Sequence, residues 1–345
     1  MTQTQIAQLK RQAEYLKKVY SAYLASSDDL IRLGMSVNRK SFVDTPFTFK
    51  DADLGIISQQ KMSAFQNRIY SIISSSTESE WMAAALVNDD MVNELLKSTN
   101  LNKNQLSRYY DRNIDALKAF QNRKLGDGMN LSKRVWQYTD QFKGEIEMAL
   151  DIGLGEGKSA SEISRDVRQY LQEPETLFRR VRDKYGNLQL SKHAQLFNPG
   201  AGVYRSSYKN AMRLTRTETN MSYHLSDHER WKQLDFVVGV QVTLSAEHPF
   251  PDICNDLQGK YPKEFVFCGW HPHCMCHAGP ILATDEEMAK QQVSLLKGED
   301  NNFTSENEVS DLPDDFTNWL DDNKDRIEKA KSLPYFIKDN QSLLK

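Results

Sequence analysis

The chain has 345 residues and a net charge of -3, and 39% of its residues are hydrophobic and 26% charged. These values are ordinary for a folded globular protein and exclude a fibrous or fully disordered chain. No apolar run approaches the roughly 18 residues that a membrane span needs. Residues 1–10 also lack the charged-then-apolar pattern of a signal peptide. We therefore expect a protein that is made in the cytosol and has no membrane span.

The predicted fold class is α+β and predominantly helical, and the length allows two or three domains. Residues 1–125 are predicted to be helical because apolar side chains recur there at helical spacing. One such series is Met62, Phe65, Ile69 and Ile73. Pro46 interrupts this region, and the residues before it are predicted to be extended because proline disfavours helix in its predecessor. Further helices are predicted over residues 131–234.

A glycine cluster at residues 153–157 invites comparison with a phosphate-binding loop. Gly153 and Gly157 are separated by three residues where the nucleotide-binding motif needs four, and a helix rather than a strand precedes them. Ser159 and Glu162 instead have the spacing of a capping box at the start of a helix. The buried stripe predicted for that helix consists of Ile163, Val167, Tyr170 and Leu171.

The β part of the fold is predicted within residues 236–282. Residues 236–245 alternate with the period of two that is typical of a half-buried strand. Residues 264–268 are predicted to form a second strand that pairs with the first. One helical turn is predicted between them, at residues 252–257.

The tail is predicted to contain a helix at about residues 284–296, an acidic linker and a final amphipathic helix. Residues 333–337 are apolar for a terminal segment, so we expect them to dock on the protein. The chain is therefore divided into a helical N-terminal region (1–125), a central region of helices, strands and a Cys/His knuckle (126–285) and a tail (286–345).

Charge is distributed unevenly along the chain. Residues 176–216 contain nine basic residues and one acid, whereas residues 299–322 contain nine acids and no Lys or Arg. The basic stretch is either a solvated face or a surface that contacts DNA or a protein partner. The candidate contact residues are Arg179, Arg180, Arg182, Arg205, Lys209, Arg213 and Arg216.

All four cysteines and four of the seven histidines lie within residues 248–277. Thiolate and imidazole are the side chains that zinc favours, and a tetrahedral site needs four such ligands. Cys274 and Cys276 are two positions apart and would point to the same side of an extended chain. The predicted metal ligands are His248, Cys254, His271, Cys274 and Cys276, with Asp252 supporting Cys254.

Two alternatives to zinc remain open for these cysteines. They could be reduced, partly buried thiols, or they could form disulfides if the protein worked outside the cell. A catalytic zinc is less favoured than a structural one because the sequence contains no His-Glu-x-x-His helix.

The order of motifs around the cysteines resembles the C-terminal signature of the phage Mu protein F-like minor head proteins. The resemblance is carried by His248-Pro-Phe-Pro-Asp-Ile-Cys254, by Asp256-Leu-Gln-Gly259 and by His271-Pro-His-Cys-Met-Cys276. Upstream, Arg216-Thr-Glu218 resembles the family's Arg-Thr-Glu helix, so the resemblance covers about residues 135–282. Met275 departs from it, because family members usually have arginine between the last two cysteines.

This resemblance implies a structural and assembly protein of a tailed-phage or prophage head. Such a protein would be made in the host cytoplasm with the prohead and would lie in the virion near the portal. It would contact the portal protein, other head proteins and packaged DNA, and could be ejected with the DNA. The zinc would be structural, and we expect no catalytic residues.

Two other functions compete with this interpretation. Arg216 and Glu218 are weakly similar to the arginine and glutamate of ADP-ribosyltransferases, which would indicate an effector enzyme. However, both residues lie in one helical run and would point roughly 200° apart, which favours structural ion pairs. A zinc-dependent DNA-binding module is the second alternative, although Lys260 and Lys263 are the only cations in the cluster.

Overall fold

The computed structural model shows a predominantly helical α+β protein, which confirms the predicted fold class. It describes residues 2–37, 46–97, 107–125, 127–174, 181–182, 185, 188–189, 203–245, 248, 251–297 and 304–344. Of the helices in these parts of the chain, none combines the length and the hydropathy that crossing a membrane requires.

Helices account for most of the described chain. They are α1 (Gln3–Met35), α2 (Gly55–Leu96), a 3-10 turn (Arg108–Tyr110), α3 (Ile114–Asn122), α4 (Leu131–Gly155), α5 (Ala160–Gln172), α6 (Ser207–Trp231), α7 (Ile253–Asp256), α8 (Asp285–Lys297), α9 (Asp314–Asp322), α10 (Lys324–Glu328) and α11 (Tyr335–Lys338). The strands are β1 (Val181–Arg182), β2 (Leu188–Gln189), β3 (Val237–Thr243), β4 (Gly259–Tyr261) and β5 (His277–Leu282).

The chain folds into two compact units, each built from segments that are separated in sequence. The first unit comprises residues 1–12, 75–128 and 216–345, and the second comprises residues 13–74 and 129–215. Sequence periodicity predicts elements and their succession, whereas it does not specify which distant elements share a core.

The second unit has an aromatic core. The ring centroid of Tyr23 lies 4.9 Å from those of both Phe65 and Phe142, with the rings edge to face. The predicted capping box is confirmed, because the Ser159 hydroxyl accepts from Glu162 N and the Glu162 carboxylate accepts from Ser159 N. The helix that follows buries the predicted stripe of Ile163, Val167, Tyr170 and Leu171.

A carboxylate is buried in this unit at Glu145, on α4. It accepts a hydrogen bond from Ser207 N at 2.7 Å and another from Gln141 Nε2 at 3.0 Å. Burial raises the pKa of Glu145 to about 8, although the hydrogen bonds from Ser207 act in the opposite direction. The buried acid therefore ties α4 to the start of α6.

In the first unit, a three-stranded antiparallel sheet has the order β4-β3-β5. Val240 pairs with Tyr261 of β4 on one side and with Pro280 of β5 on the other. The predicted alternation along β3 is wrong in its first half, where residues 237–240 are all buried. The reason lies in the tail, because Val309 N donates to Val238 O and the Val309 side chain covers Gly239.

The predicted strand at residues 264–268 is wrong. Phe265, Phe267 and Cys268 are buried, whereas Val266 is half-buried and Glu264 is exposed. None of these residues is helical or paired with the sheet, and β4 and β5 flank β3 instead. The backbone of Val266 is satisfied by a side chain from the tail: Asn340 Oδ1 accepts from Val266 N at 2.7 Å, and Asn340 Nδ2 donates to Val266 O at 3.0 Å.

The tail packs on the first unit. The predicted final helix is two short helices, α9 and α10, separated at Asn323. The predicted docking of residues 333–337 is confirmed, since Phe336 is buried with its ring centroid 5.5 Å from that of Trp270.

The C-terminal half of α6 is buried on nearly every side, including its polar positions. Its polar side chains bond to α2 rather than to water: Asn88 Nδ2 donates to Asp227 Oδ1 at 2.7 Å, and Ser222 Oγ donates to Thr77 O at 2.6 Å. Buried polar groups are stable only when they are paired in this way. The polar face of this helix is therefore part of the core of the first unit.

Candidate metal centre

The candidate metal centre lies where α7 and the knuckle at residues 271–276 meet. Asp252 caps α7, because its Oδ1 accepts from Cys254 N at 2.8 Å, and this places Cys254 in the first turn. The knuckle ends at Cys276, immediately before β5 begins at His277. Two short segments that are anchored by a helix cap and by the sheet therefore present the donor atoms.

All five predicted metal ligands lie in two overlapping groups of donor atoms. One group contains His248, Asp252, Cys254 and His271, and the other contains Cys254, Cys274 and Cys276. Within each group the donor atoms lie within 4.8 Å of one another, and Cys254 belongs to both. This arrangement could hold a metal ion.

The distances within the centre fit a tetrahedral ion. Cys254 Sγ lies 3.7 Å from Cys274 Sγ and 3.1 Å from His271 Nε2. Two thiolates bound to one tetrahedral zinc at about 2.3 Å lie roughly 3.8 Å apart. The sulfur atoms are therefore already separated as two ligands of one ion would be.

The ring of His271 is oriented by its own backbone. Its Nδ1 lies 2.9 Å from Pro272 O, and a carbonyl oxygen can only accept, so Nδ1 carries a proton. His271 Nε2 lies 3.2 Å from Asp252 Oδ2 and 3.1 Å from Cys254 Sγ. Three electron-rich positions therefore face one another, which a bound cation would stabilise.

The three thiols of the centre are buried, and their pKa values are shifted in different directions. Hydrogen bonds from the Cys254 and Cys276 thiols hold the pKa of Cys274 well below its ordinary value. Cys274 is therefore the first of the three to become a thiolate, which is the form that binds metal. All four cysteines of the chain are unpaired thiols, and none forms a disulfide.

Residues around the centre hold the knuckle in place. His248 Nε2 lies 3.1 Å from Asp252 Oδ1, so Asp252 contacts both imidazoles. His273 has the left-handed backbone conformation, with φ of 76°, and its N donates to Thr217 Oγ1 at 3.0 Å. His224 Nε2 lies 3.2 Å from Cys276 O.

Sequence reasoning missed Thr217 and His224 as supports of the knuckle. Both lie on α6, more than 50 positions from the knuckle residues that they contact. Nothing local in the sequence marks such pairs. The spacing of polar residues along α6 shows that they share a face, without showing what that face contacts.

The remaining Cys and His residues of the segment 248–277 are Cys268, His273 and His277, and they lie outside both donor groups. The Cys268 thiol lies 3.9 Å from Asp339 Oδ2. His273 Nε2 lies 2.6 Å from Arg216 Nη1. His277 opens β5 and is buried.

The candidate DNA or portal contacts are only partly described. Arg179 and Arg180 lie outside the described residues, as does the side chain of Arg182, whose backbone forms β1. Arg205 is exposed, whereas Lys209, Arg213 and Arg216 are half-buried. The predicted surface at residues 176–216 stays a prediction.

The Arg-Thr-Glu segment of α6 is held by internal contacts. Arg123 Nη2 donates to Glu218 at 3.0 Å, and the Glu218 side chain is 1% exposed. Arg216 contacts His273 of the knuckle. Glu218 has the structural ion pair that the helical spacing favoured.

The chain was compared with known proteins at three levels. No protein-family model, curated protein or solved structure matches it.

Proposed function

We propose that the chain binds one zinc ion through Cys254, Cys274, Cys276 and His271, and that the ion staples α7 to the knuckle. The observation that carries this proposal is that Cys254 belongs to both donor groups, with the buried thiols of Cys274 and Cys276 in one and the imidazole of His271 in the other. Three sulfur donors and one nitrogen form a Cys3His set, which is one of the usual sets of structural zinc.

The donor chemistry favours zinc over other cations. Calcium and magnesium take oxygen ligands, whereas this centre is rich in sulfur. The zinc would cross-link α7 to the knuckle and would have a structural role, not a catalytic one. The residues of the chain do the rest: Asp252 caps α7, and the Pro272 carbonyl fixes the ring of His271. In this proposal Asp252 and His248 lie beside the ion and are not its ligands.

We further propose that the protein is a minor head protein of a tailed phage or prophage. The ordered resemblance of residues 248–276 to the Mu protein F-like family supports this role. A structural zinc agrees with it, and so does the engagement of Glu218 in an ion pair, which leaves that carboxylate without a catalytic task. The partners that we propose are the portal protein, other head proteins and packaged DNA.

Elemental analysis of the purified, reduced full-length chain tests the zinc proposal. The wild type is expected to contain one zinc per chain, and Cys254→Ser and Cys274→Ser are expected to contain none. Cys268→Ser is the matched control, because Cys268 is equally buried but lies outside both donor groups. A metal-free wild type, or zinc retained in both ligand variants, would contradict the proposal.

Copurification tests the proposed role in the head. The tagged chain is expressed together with a tailed-phage portal protein from the same genome, and the complex is isolated in buffer of physiological ionic strength. Recovery of portal protein with the wild type, and not with a tagged unrelated chain, is the expected result. A chain that binds zinc but retains no head protein would leave the metal proposal standing and contradict the proposed role.

A further inference from the structure

The candidate metal centre contains more donor residues than one tetrahedral ion can use. One donor group holds four residues and the other holds three, with Cys254 shared, so the two groups together hold six. One tetrahedral zinc takes four of them. The zinc proposed above takes three cysteines and His271, which leaves His248 and Asp252 as donors that belong to no ion.

These two remaining donors are spaced as ligands of one ion would be. His248 Nε2 lies 3.1 Å from Asp252 Oδ1, and both residues belong to the group whose donor atoms, Cys254 Sγ included, lie within 4.8 Å of one another. A nitrogen and an oxygen ligand bound to one tetrahedral zinc at about 2.0 Å lie roughly 3.3 Å apart. The imidazole, the carboxylate and the thiolate can therefore occupy three corners of a second tetrahedral site.

The carboxylate of Asp252 is held in place by the cap of α7. Its Oδ1 accepts from Cys254 N at 2.8 Å, and Asp252 N donates to Asn255 Oδ1 at 3.0 Å, which completes a capping box. One turn of chain therefore presents both the carboxylate and the thiol of Cys254. Donors that are held before the ion arrives lose less conformational entropy when it binds.

Cys254 is the residue that joins the two positions. Its Sγ lies 3.7 Å from Cys274 Sγ in one donor group and 3.1 Å from His271 Nε2 in the other. A thiolate sulfur has several lone pairs and can bridge two cations. The negative charges of this thiolate and of Asp252 would offset the repulsion between two ions at close range.

The second position is open to solvent, unlike the first. The side chain of Asp252 is 26% exposed and that of His271 is 33% exposed, whereas the residues Cys274 and Cys276 are 3% and 1% exposed. The His248 side chain is 7% exposed, so an ion would enter past Asp252. Water can supply the fourth ligand there. An ion held by three protein ligands and one water should exchange more readily than one held by four protein ligands.

We propose that His248, Asp252 and Cys254 hold a second, exchangeable zinc ion, which the Cys254 thiolate bridges to the first. This inference rests on the proposed zinc staple, because Cys254 is a ligand of both ions. A set of one nitrogen, one oxygen and one sulfur donor suits zinc, whereas calcium and magnesium take oxygen ligands. The zinc content of the chain would then rise from one to two with the concentration of free zinc.

Equilibrium dialysis of the purified full-length chain against increasing free zinc tests the proposal, with elemental analysis of each sample. We expect one zinc per chain before dialysis and a saturable rise to two, with the second ion bound at least tenfold more weakly. Asp252→Asn keeps an oxygen that can cap α7 but removes the charged ligand, so this variant should stay at one zinc. Asp256→Asn is the matched control and should reach two, because Asp256 is exposed at the end of α7 and lies outside both donor groups.

Cobalt tests the bridge. Cobalt(II) added to the chain that holds one zinc should bind at one ion per chain, leave the zinc in place and give a thiolate-to-cobalt charge-transfer band in the near ultraviolet. Cobalt bound without this band would overturn the bridge through Cys254. A wild type that stays at one zinc, or Asp252→Asn that reaches two, would overturn the second site and leave the staple standing. A wild type without zinc before dialysis would contradict the staple, and the second site with it.

Discussion

Cys254 Sγ and Cys274 Sγ lie 3.7 Å apart although the two residues are 20 positions apart in the chain. Their approach depends on α7 and the knuckle holding their relative positions. A metal bound there would cross-link two segments that otherwise have few regular hydrogen bonds, since the residues between β4 and β5 belong to no strand. Loss of the metal should therefore loosen mainly α7 and the knuckle.

Removal of the metal is expected to loosen residues 251–282 and to spare the second unit. A strong chelator should raise hydrogen exchange in the knuckle and in α7, whereas exchange in α5 should stay unchanged because α5 lies in the second unit. Hydrogen exchange with mass spectrometry measures both regions in one experiment. Equal effects on the knuckle and on α5, or none on either, would contradict a local staple.

The two histidines beside Asp252 are expected to differ in their effect on zinc affinity. His271→Ala removes a proposed ligand and should weaken zinc binding more than about 100-fold, whereas His248→Ala removes a neighbour of Asp252 and should weaken it about 10-fold. Competition with a zinc indicator measures both affinities. The reverse order would make His248 the ligand and His271 its support.

The contribution of Glu145 to the stability of the protein is expected to fall as the pH rises from about 5 to 8. Glu145 has a pKa of about 8 when folded, above its ordinary value of 4.5, so the folded state holds a proton that the unfolded state releases. The stabilisation is complete below pH 4.5 and is lost as the pH rises through 8. Glu145→Gln should remove this contribution, which changes the slope of the free energy of unfolding against pH by up to about 1.4 kcal/mol per pH unit. Urea titrations at several pH values measure it, and an unchanged slope in the variant would refute the assignment.

Asn340 is expected to contribute more to stability than its neighbour Gln341. Asn340→Ala would leave both backbone groups of the half-buried Val266 without their partners, at a cost of about 2 kcal/mol. Gln341→Ala removes an exposed amide from the same segment and should change the free energy of unfolding little. Denaturant titration of the two variants gives the comparison, and equal effects would argue against this role of Asn340.

Sequence predicted the elements whose determinants are local. The Ser159 and Glu162 capping box, the helical turn after Asp252 and the facing thiols of Cys274 and Cys276 depend on spacings of two or three residues. The candidate metal ligands could be predicted for the same reason, because their residue types are concentrated in one short segment. The order of the β-strands was not found.

The incorrect predictions involve partners that are distant in sequence. Residues 264–268 have the composition of a strand, but Val266 bonds to Asn340, which is 74 positions away. The first half of β3 is buried on both sides because Val309 covers Gly239. In each case the local pattern is compatible with two structures, and the tail decides between them.

Val309 has a consequence for how the protein meets other chains. Beyond the end of β4, the backbone of β3 would present an unpaired edge, and open edges promote association with strands of other molecules. Val309 N donates to the carbonyl oxygen of Val238, and the acids Glu306, Glu308 and Asp311 lie within three positions of Val309 in the chain. A strand of a neighbouring copy could pair there only by displacing Val309 and approaching these acids.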